Sequence, residues 1–258
     1  MSGPVLTING HVARVTLNRP AKHNRIEAAD VKRLHQILDR VRQDKAIRVL
    51  IITGAGRTFC SGYDLQSLAT GKHVNRSDLK SLLSFEQAMD RLEDIRVPTI
   101  CALNGPVYGG GADLAIACDF RIAVQGTEVV VPVAQIGIHY YYGGIRRLVT
   151  RLGLGTTKRL LLLSGKISSR ELLCSGFADE MVPNRVALLR RTRSLASTLM
   201  GVPDAAVLAN MKASLNRIVT GDLKRSAVDI AWRKSLQSPI IAKASRKRMV
   251  KRYRINSG

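Results

Sequence analysis

NGPVYGGGADLAIACD, residues 104–119, follows an apolar run that ends at Leu103 and is typical of a strand. Three consecutive glycines at 109–111 allow a sharp bend and let another group approach the main chain closely. The short apolar helix predicted after them begins with unpaired backbone N–H groups, which suit an anion or a developing oxyanion. Asp113 follows two residues later as a candidate acid or base. Taken alone, the stretch is equally typical of a buried strand-to-helix connection whose aspartate caps the helix.

Apolar runs and helical patterns alternate on both sides of this stretch. Residues 49–52 are a continuous apolar run that predicts a buried parallel strand, and residues 120–124 are predicted as another strand. Apolar residues at helical spacing predict helices over 28–42 and 82–94. Asn9-Gly10 lies between two partly alternating arms and predicts a hairpin with a type I′ turn. The alternation predicts an α/β layered fold, with further helices expected at 145–152, 156–163 and 168–175.

Residues 66–80 are polar and predict a surface loop or lid with helical pieces.

The chain becomes mostly helical towards its C-terminus. From residue 186 onward the patterns are helical, with breaks near Pro203, Gly221 and Pro239. We therefore predict a core over residues 1–195 and a mostly helical region over residues 196–258.

Composition places the chain among ordinary globular proteins. It has 258 residues, of which 45% are hydrophobic and 23% charged. No run approaches the roughly 18 apolar residues of a membrane span, and the start carries no basic-then-apolar signal. We expect a cytoplasmic protein. Its four cysteines form no CxxC pair, which predicts reduced core cysteines rather than disulfides or a metal site.

The net charge of +22 is unusually high and unevenly spread. Residues 185–258 hold 17 Lys and Arg against 3 Asp. Such a field draws in anionic partners, although a solvated, charged face is the default interpretation of any charge run. The segment 243–254 is basic enough to keep nucleic-acid binding as an alternative. Because that segment offers Tyr253 as its one aromatic residue and no stacking platform, we expect no specific nucleic-acid binding.

Two glycine-bounded loops, FCSGYDL at 59–65 and the opening stretch, resemble those of the crotonase (enoyl-CoA hydratase/isomerase) superfamily. The likeness runs in order over residues 5–185, including LNRP at 17–20, Asn24, Gly143-Gly144 and Arg147-Leu148. It implies a spiral of ββα units followed by an α-helical C-terminal trimerisation region, assembled as a homotrimer or hexamer. It also implies binding of an acyl-CoA thioester, with coenzyme A as part of the substrate and no separate cofactor or metal.

The resemblance assigns roles to residues of both loops. The thioester carbonyl oxygen is expected between the backbone N–H groups of Tyr63 and Gly110, which would stabilise an enolate. Losing one such donor typically costs about 10²–10³ in rate. The Tyr63 ring is expected to narrow the acyl pocket. The remaining candidate substrate contacts are Lys22, Arg25, Ser61, Gly62, Asp64, Leu65, Gly109, Val133, His139, Tyr140 and Tyr141.

The proton chemistry departs from the family pattern of two glutamates. Asp113 stands at the first position and Val133 at the second, and residues 132–150 contain no carboxylate. A positioned acid or base contributes about 10²–10⁴, so ordinary two-glutamate hydration is compromised. One hypothesis is an enoyl-CoA hydratase/isomerase with Asp113 as the single acid/base, its protonated form favoured by burial.

Two other hypotheses remain open. In the first, His139, Tyr140, Tyr141 or Tyr142 replaces the missing acid, as in a thioester hydrolase, dehalogenase or decarboxylase of this fold. In the second, the protein binds acyl-CoA without catalysis. Acyl chain length and the reaction itself are not determined by the sequence.

Overall fold

The computed structural model describes residues 3–64 and 76–222, together with positions 228, 230, 231 and 234. It divides into two compact units, residues 1–200 and residues 201–258. Within the described residues, no helix is both long enough and apolar enough to cross a membrane.

The first unit is built on a six-stranded sheet with the strand order β1-β2-β3-β4-β6-β9. The β1–β2 pair is antiparallel and every other neighbouring pair in this sheet is parallel. The strands are β1 Val5–Asn9, β2 Val12–Leu17, β3 Val49–Gly54, β4 Thr99–Leu103, β6 Phe120–Val124 and β9 Glu180–Val182. The α/β prediction is confirmed.

A smaller sheet of three short strands lies beside the glycine-rich stretch. Its order is β5-β7-β8, with β5–β7 parallel and β7–β8 antiparallel. Its strands are β5 Val107–Tyr108, β7 Val129–Val130 and β8 Lys166–Ile167. Strand β5 therefore carries the chain directly into the glycines at 109–111.

Alternate residues of the large sheet face two different cores, as the side-chain alternation of strands requires. On one side Ile52 and Leu103 pack under the helices α1 to α4. On the other side Ile51 and Ala102 pack with residues of α5. The helices of this unit are α1 Ala28–Gln43, α2 Arg76–Glu93, α3 Gly110–Ile116, α4 Tyr142–Leu162 and α5 Arg185–Met200.

Two local predictions are corrected and a third is confirmed. Asn9 ends β1, and the turn residues are Gly10, at φ +56°, and His11, so the turn is not a type I′ turn on Asn9-Gly10. The two helices expected at 145–152 and 156–163 are present as the two halves of α4, which is interrupted at Gly153, whose φ of 74° and ψ of 163° are not helical. Residues 169–176 form consecutive turns where a helix was expected at 168–175, and the Glu171 carboxylate accepts from Ser168 there.

The second unit contains α6, Ala205–Thr220. The side chain of Asp204 accepts from the Ala206 amide at 2.8 Å and caps its first turn. Gly221, at φ 75°, ends the helix in the left-handed conformation that glycine adopts readily. The predicted role of residues 196–258 in oligomerisation remains a prediction.

Candidate active site

The two glycine-bounded loops lie side by side. Cys60 forms a parallel bridge with Val107, and the Tyr108 amide donates to the Cys60 carbonyl at 2.9 Å. Gly109 then turns the chain into α3 at φ 50° and ψ −121°, a conformation that residues with a Cβ rarely adopt. Its amide donates to the Val130 carbonyl at 2.8 Å. The small sheet therefore fixes the position of the first residue of α3.

The amides of Tyr63 and Gly110 meet at this junction. A methyl group placed on Gly110 would lie 3.4 Å from the Tyr63 nitrogen, and one on Gly62 would lie 3.3 Å from the Gly110 nitrogen. Neither the Tyr63 N–H nor the Gly110 N–H has an acceptor among the described residues. Two adjacent donors without an internal partner suit an oxyanion. The structure thus brings together the two amides for which the family resemblance predicts a shared carbonyl oxygen.

Asp113 is fully buried and ion-paired. Arg147 donates from Nε to Oδ1 at 2.7 Å and from its terminal nitrogen to Oδ2 at 2.8 Å. The Tyr141 hydroxyl donates to the same Oδ2 at 2.5 Å. A bidentate guanidinium is among the strongest hydrogen-bond partners of a carboxyl group, and the sequence patterns did not assign this partner to Asp113.

Arg147 joins Asp113 to a wider ionic network. It is also fully buried, and its NH1 nitrogen lies 2.6 Å from Asp90 and 3.1 Å from Glu93. Arg146 also pairs with Glu93. Burial alone lowers the pKa of Arg147, but the charge and hydrogen bonds of Asp113 raise it above its usual value. The guanidinium is therefore permanently charged and holds α2, α3 and α4 together.

Aromatic rings connect this network with the two amides. The ring centroids of Tyr63 and Phe85 are 5.5 Å apart, and those of Phe85 and Tyr141 are 6.4 Å apart. A methyl group on Gly110 would lie 3.1 Å from the Phe85 ring. Burial and the charge of Asp113 raise the pKa of Tyr141 well above its usual value, so its hydroxyl keeps its proton. Tyr141 is thus the protonated group nearest the carboxylate.

The other candidate residues near Tyr141 differ in exposure. Tyr140 is buried, and its hydroxyl has no hydrogen-bond partner in the described part of the chain. Tyr142 is 77% exposed. His139 is exposed, and its Nδ1 lies 2.7 Å from the Tyr140 carbonyl, so it does not join the buried cluster around Asp113. Val133 is half-buried and packs against the apolar core.

The predicted coenzyme A contacts converge beside the Tyr63 loop. The Ile26 amide donates to the Gly62 carbonyl and the Asp64 amide to the Ile26 carbonyl, each at 2.8 Å. Arg25 lies 3.2 Å from Asp64 and also pairs with Glu27. Lys22 has a half-exposed side chain, and its carbonyl accepts from Ser61 Oγ at 3.3 Å. Leu65 lies outside the described residues, as does the basic segment 243–254.

Sequence reasoning missed the partners of Asp113. Arg147 belongs to the family pattern in the sequence but has no role there, and no sequence pattern singles out the acids of α2. One signal was available, because an arginine in the apolar pattern of a helix needs a buried counterion. Which carboxylate supplies it depends on how α2, α3 and α4 pack.

Comparison with known proteins identifies the relatives of this chain. The family described as enoyl-CoA hydratase/isomerase matches residues 7–254. Carnitinyl-CoA dehydratase of Proteus mirabilis is 34% identical over 205 residues, covering 79% of this chain and 77% of the relative. Short-chain-enoyl-CoA hydratase of Clostridium acetobutylicum is 28% identical over 226 residues, covering 86% and 84%.

A solved structure shows the same architecture. The crystal structure of enoyl-CoA hydratase from Bacillus anthracis superposes with a TM-score of 0.85 at 25% identity. The match covers 94% of this chain and 95% of that one. The predicted crotonase-like fold is confirmed, whereas the trimerisation region stays a prediction.

Proposed function

Because the chain belongs to the enoyl-CoA hydratase/isomerase family, we propose that it isomerises or hydrates an enoyl-CoA thioester through an enolate. The observation that carries the proposal is the pair of adjacent N–H groups of Tyr63 and Gly110, neither bonded to an acceptor among the described residues. A thioester oxygen between them receives two hydrogen bonds that strengthen as negative charge develops.

The proton step is assigned to the Tyr141–Asp113 pair. Both Asp113 oxygens accept from Arg147, and the carboxylate is fully buried. Tyr141 is partly buried, packs near Phe85 and donates to Asp113. The hydroxyl is therefore the group that reaches the acyl chain, and the carboxylate orients it.

The proton transfers of an isomerisation can be carried out by these groups alone. The Tyr141 oxygen takes the proton from the carbon next to the thioester, while the hydroxyl proton passes to Asp113. The enolate oxygen is held by the two amides, and the reverse transfer delivers a proton at the far end of the former double bond.

The test incubates the protein with 2-enoyl-CoA and 3-enoyl-CoA thioesters in D₂O. Chromatography with mass spectrometry separates isomerisation with deuterium uptake, water addition, thioester cleavage and no change. We expect isomerisation or hydration, and a loss of about 10²–10⁴ in kcat for Tyr141→Phe. This variant keeps the ring contacts with Phe85 and removes the hydroxyl.

Tyr142→Phe is the matched control, since that side chain is 77% exposed. Full activity in Tyr141→Phe would refute its role in the proton step. Acyl-CoA binding without any turnover would support the second candidate, a non-catalytic binder. The observation that favours it is that both oxygens of Asp113 are already held by Arg147 and Tyr141. Thioester cleavage would instead identify a hydrolase.

A further inference from the structure

A second cleft lies on the face of the large sheet opposite α3. It has a volume of about 170 Å³ and is bounded by the ends of β3 and β4 and by α5. Its floor includes Thr53 and Ala102, and its apolar wall is formed by Leu188 and Leu189. None of these residues belongs to the oxyanion site or its ionic network.

A buried hydroxyl in this cleft has no partner. Thr192 lines the cleft and is 1% exposed, and its Oγ1 forms no hydrogen bond with any described residue. Leaving a buried hydroxyl without a hydrogen-bond partner is unfavourable. Native structures rarely retain an orphan hydroxyl unless water or a ligand occupies the site.

Two arginines reach the same cleft from different elements. Arg185, at the start of α5, donates through one terminal nitrogen to the carbonyls of Gly56 and Asn104. Its other N–H groups have no acceptor among the described residues. Arg14, on β2, also lines the cleft, and its side chain forms no ion pair or hydrogen bond with any described residue. Burial and the nearby charge of Arg193 lower the pKa of Arg14.

The cleft therefore gathers positive charge without a counterion. None of its described lining residues is acidic. On the same helix, Arg191 is neutralised by Glu180 at 2.6 Å, whereas Arg14 and Arg185 have no such partner among the described residues. Guanidinium groups bind phosphate and carboxylate oxygens with several N–H groups at once.

We propose that this cleft binds a small oxyanion, the phosphate group of a small molecule, between Arg14, Arg185 and the hydroxyl of Thr192. Water occupies roughly 30 Å³ per molecule, so the volume accommodates a phosphate group with a few waters. Phosphate supplies enough oxygens to accept from both arginines and the hydroxyl together. The bound anion satisfies the orphan hydroxyl and relieves the repulsion between Arg14 and Arg193.

The test titrates the full-length protein with inorganic phosphate at constant ionic strength, followed by calorimetry and by the methyl NMR signals of Leu188 and Leu189. We expect saturable binding that shifts both methyl signals. Arg14→Gln and Arg185→Gln should each raise the Kd about tenfold or more. Thr192→Val should raise it several-fold without changing the charge.

Arg190→Gln is the matched control, because it removes one charge from an exposed position of α5 that does not line the cleft. It should leave the Kd within about twofold. Equal weakening by Arg190→Gln would refute a built site in favour of general attraction. The absence of saturable binding, or of shifts at the two leucines in the wild-type protein, would also overturn the proposal. The wild-type readings and Thr192→Val decide the question even if Arg185→Gln fails to fold.

Discussion

The ion pair between Asp113 and Arg147 provides a quantitative test of how the site is held. Both side chains are 0% exposed, and two hydrogen bonds of 2.7 and 2.8 Å join them. Breaking a buried pair by removing one partner generally costs about 3–5 kcal/mol, because the other charge is left uncompensated. The two single substitutions and their combination form a double-mutant cycle.

The expected sizes differ because the two partners differ in their remaining contacts. Asp113→Asn leaves Arg147 paired with Asp90 and Glu93, so about 3 kcal/mol is expected. Arg147→Met leaves a buried carboxylate that keeps the Tyr141 hydroxyl, so about 5 kcal/mol is expected. In the double variant neither opposite charge is stranded at this contact. Its loss should fall short of the sum by about 3 kcal/mol.

The measurement is the free energy of unfolding in urea, followed by circular dichroism, with the m-values compared between variants. The control is Arg40→Gln, because its pair with Asp44 lies at the surface with the arginine side chain 62% exposed. Such pairs contribute about 0–1 kcal/mol. Additive losses in the cycle would refute the claim that Arg147 and Asp113 neutralise each other.

Two further predictions concern the glycine loop and the thiols. Gly110→Ala, whose methyl group would lie 3.1 Å from Phe85 and 3.4 Å from the Tyr63 amide, should lower kcat/KM for an enoyl-CoA by about 10²–10³. In Gly155→Ala the methyl group enters open space, so activity should persist; equal kinetics in both would contradict the oxyanion role. Cys174 is exposed and should be alkylated by iodoacetamide at pH 8, whereas burial raises the pKa of Cys60 to about 12 and should protect it. Peptide mapping by mass spectrometry decides this, and equal labelling of both thiols would refute it.

The local sequence pattern was sufficient to predict the structure where a residue type has a single strong conformational or burial preference. The glycines at 109–111 predicted a sharp entry into α3, and Gly109 has the positive φ that requires glycine. The apolar run at 49–52 lies in the buried parallel strand β3, and the strand predicted at 120–124 is β6. Local pattern failed at residues 168–175, where the Glu171 carboxylate accepts from Ser168 and consecutive turns form.

The cysteines show the same limit. Cys60, Cys101 and Cys118 are buried, as expected of core thiols, but Cys174 is exposed. Its small, apolar neighbours in the sequence did not distinguish it from the others. The burial of a cysteine depends on which residues from elsewhere in the chain pack over its segment, and the sequence of the segment alone does not determine this.

The sequence by itself determined the family, the α/β architecture, the two glycine-bounded loops and the absence of a carboxylate over residues 132–150. These features depend on residue type and order, because local backbone preferences and side-chain periodicity determine secondary structure from them. Only the tertiary structure decided that Asp113 is clamped by Arg147, that Tyr141 rather than His139 reaches it, and that Arg14 and Arg185 share a cleft with Thr192. The physical reason is distance. Charges and hydroxyls far apart in the chain acquire their roles only when packing removes water and leaves each with particular partners.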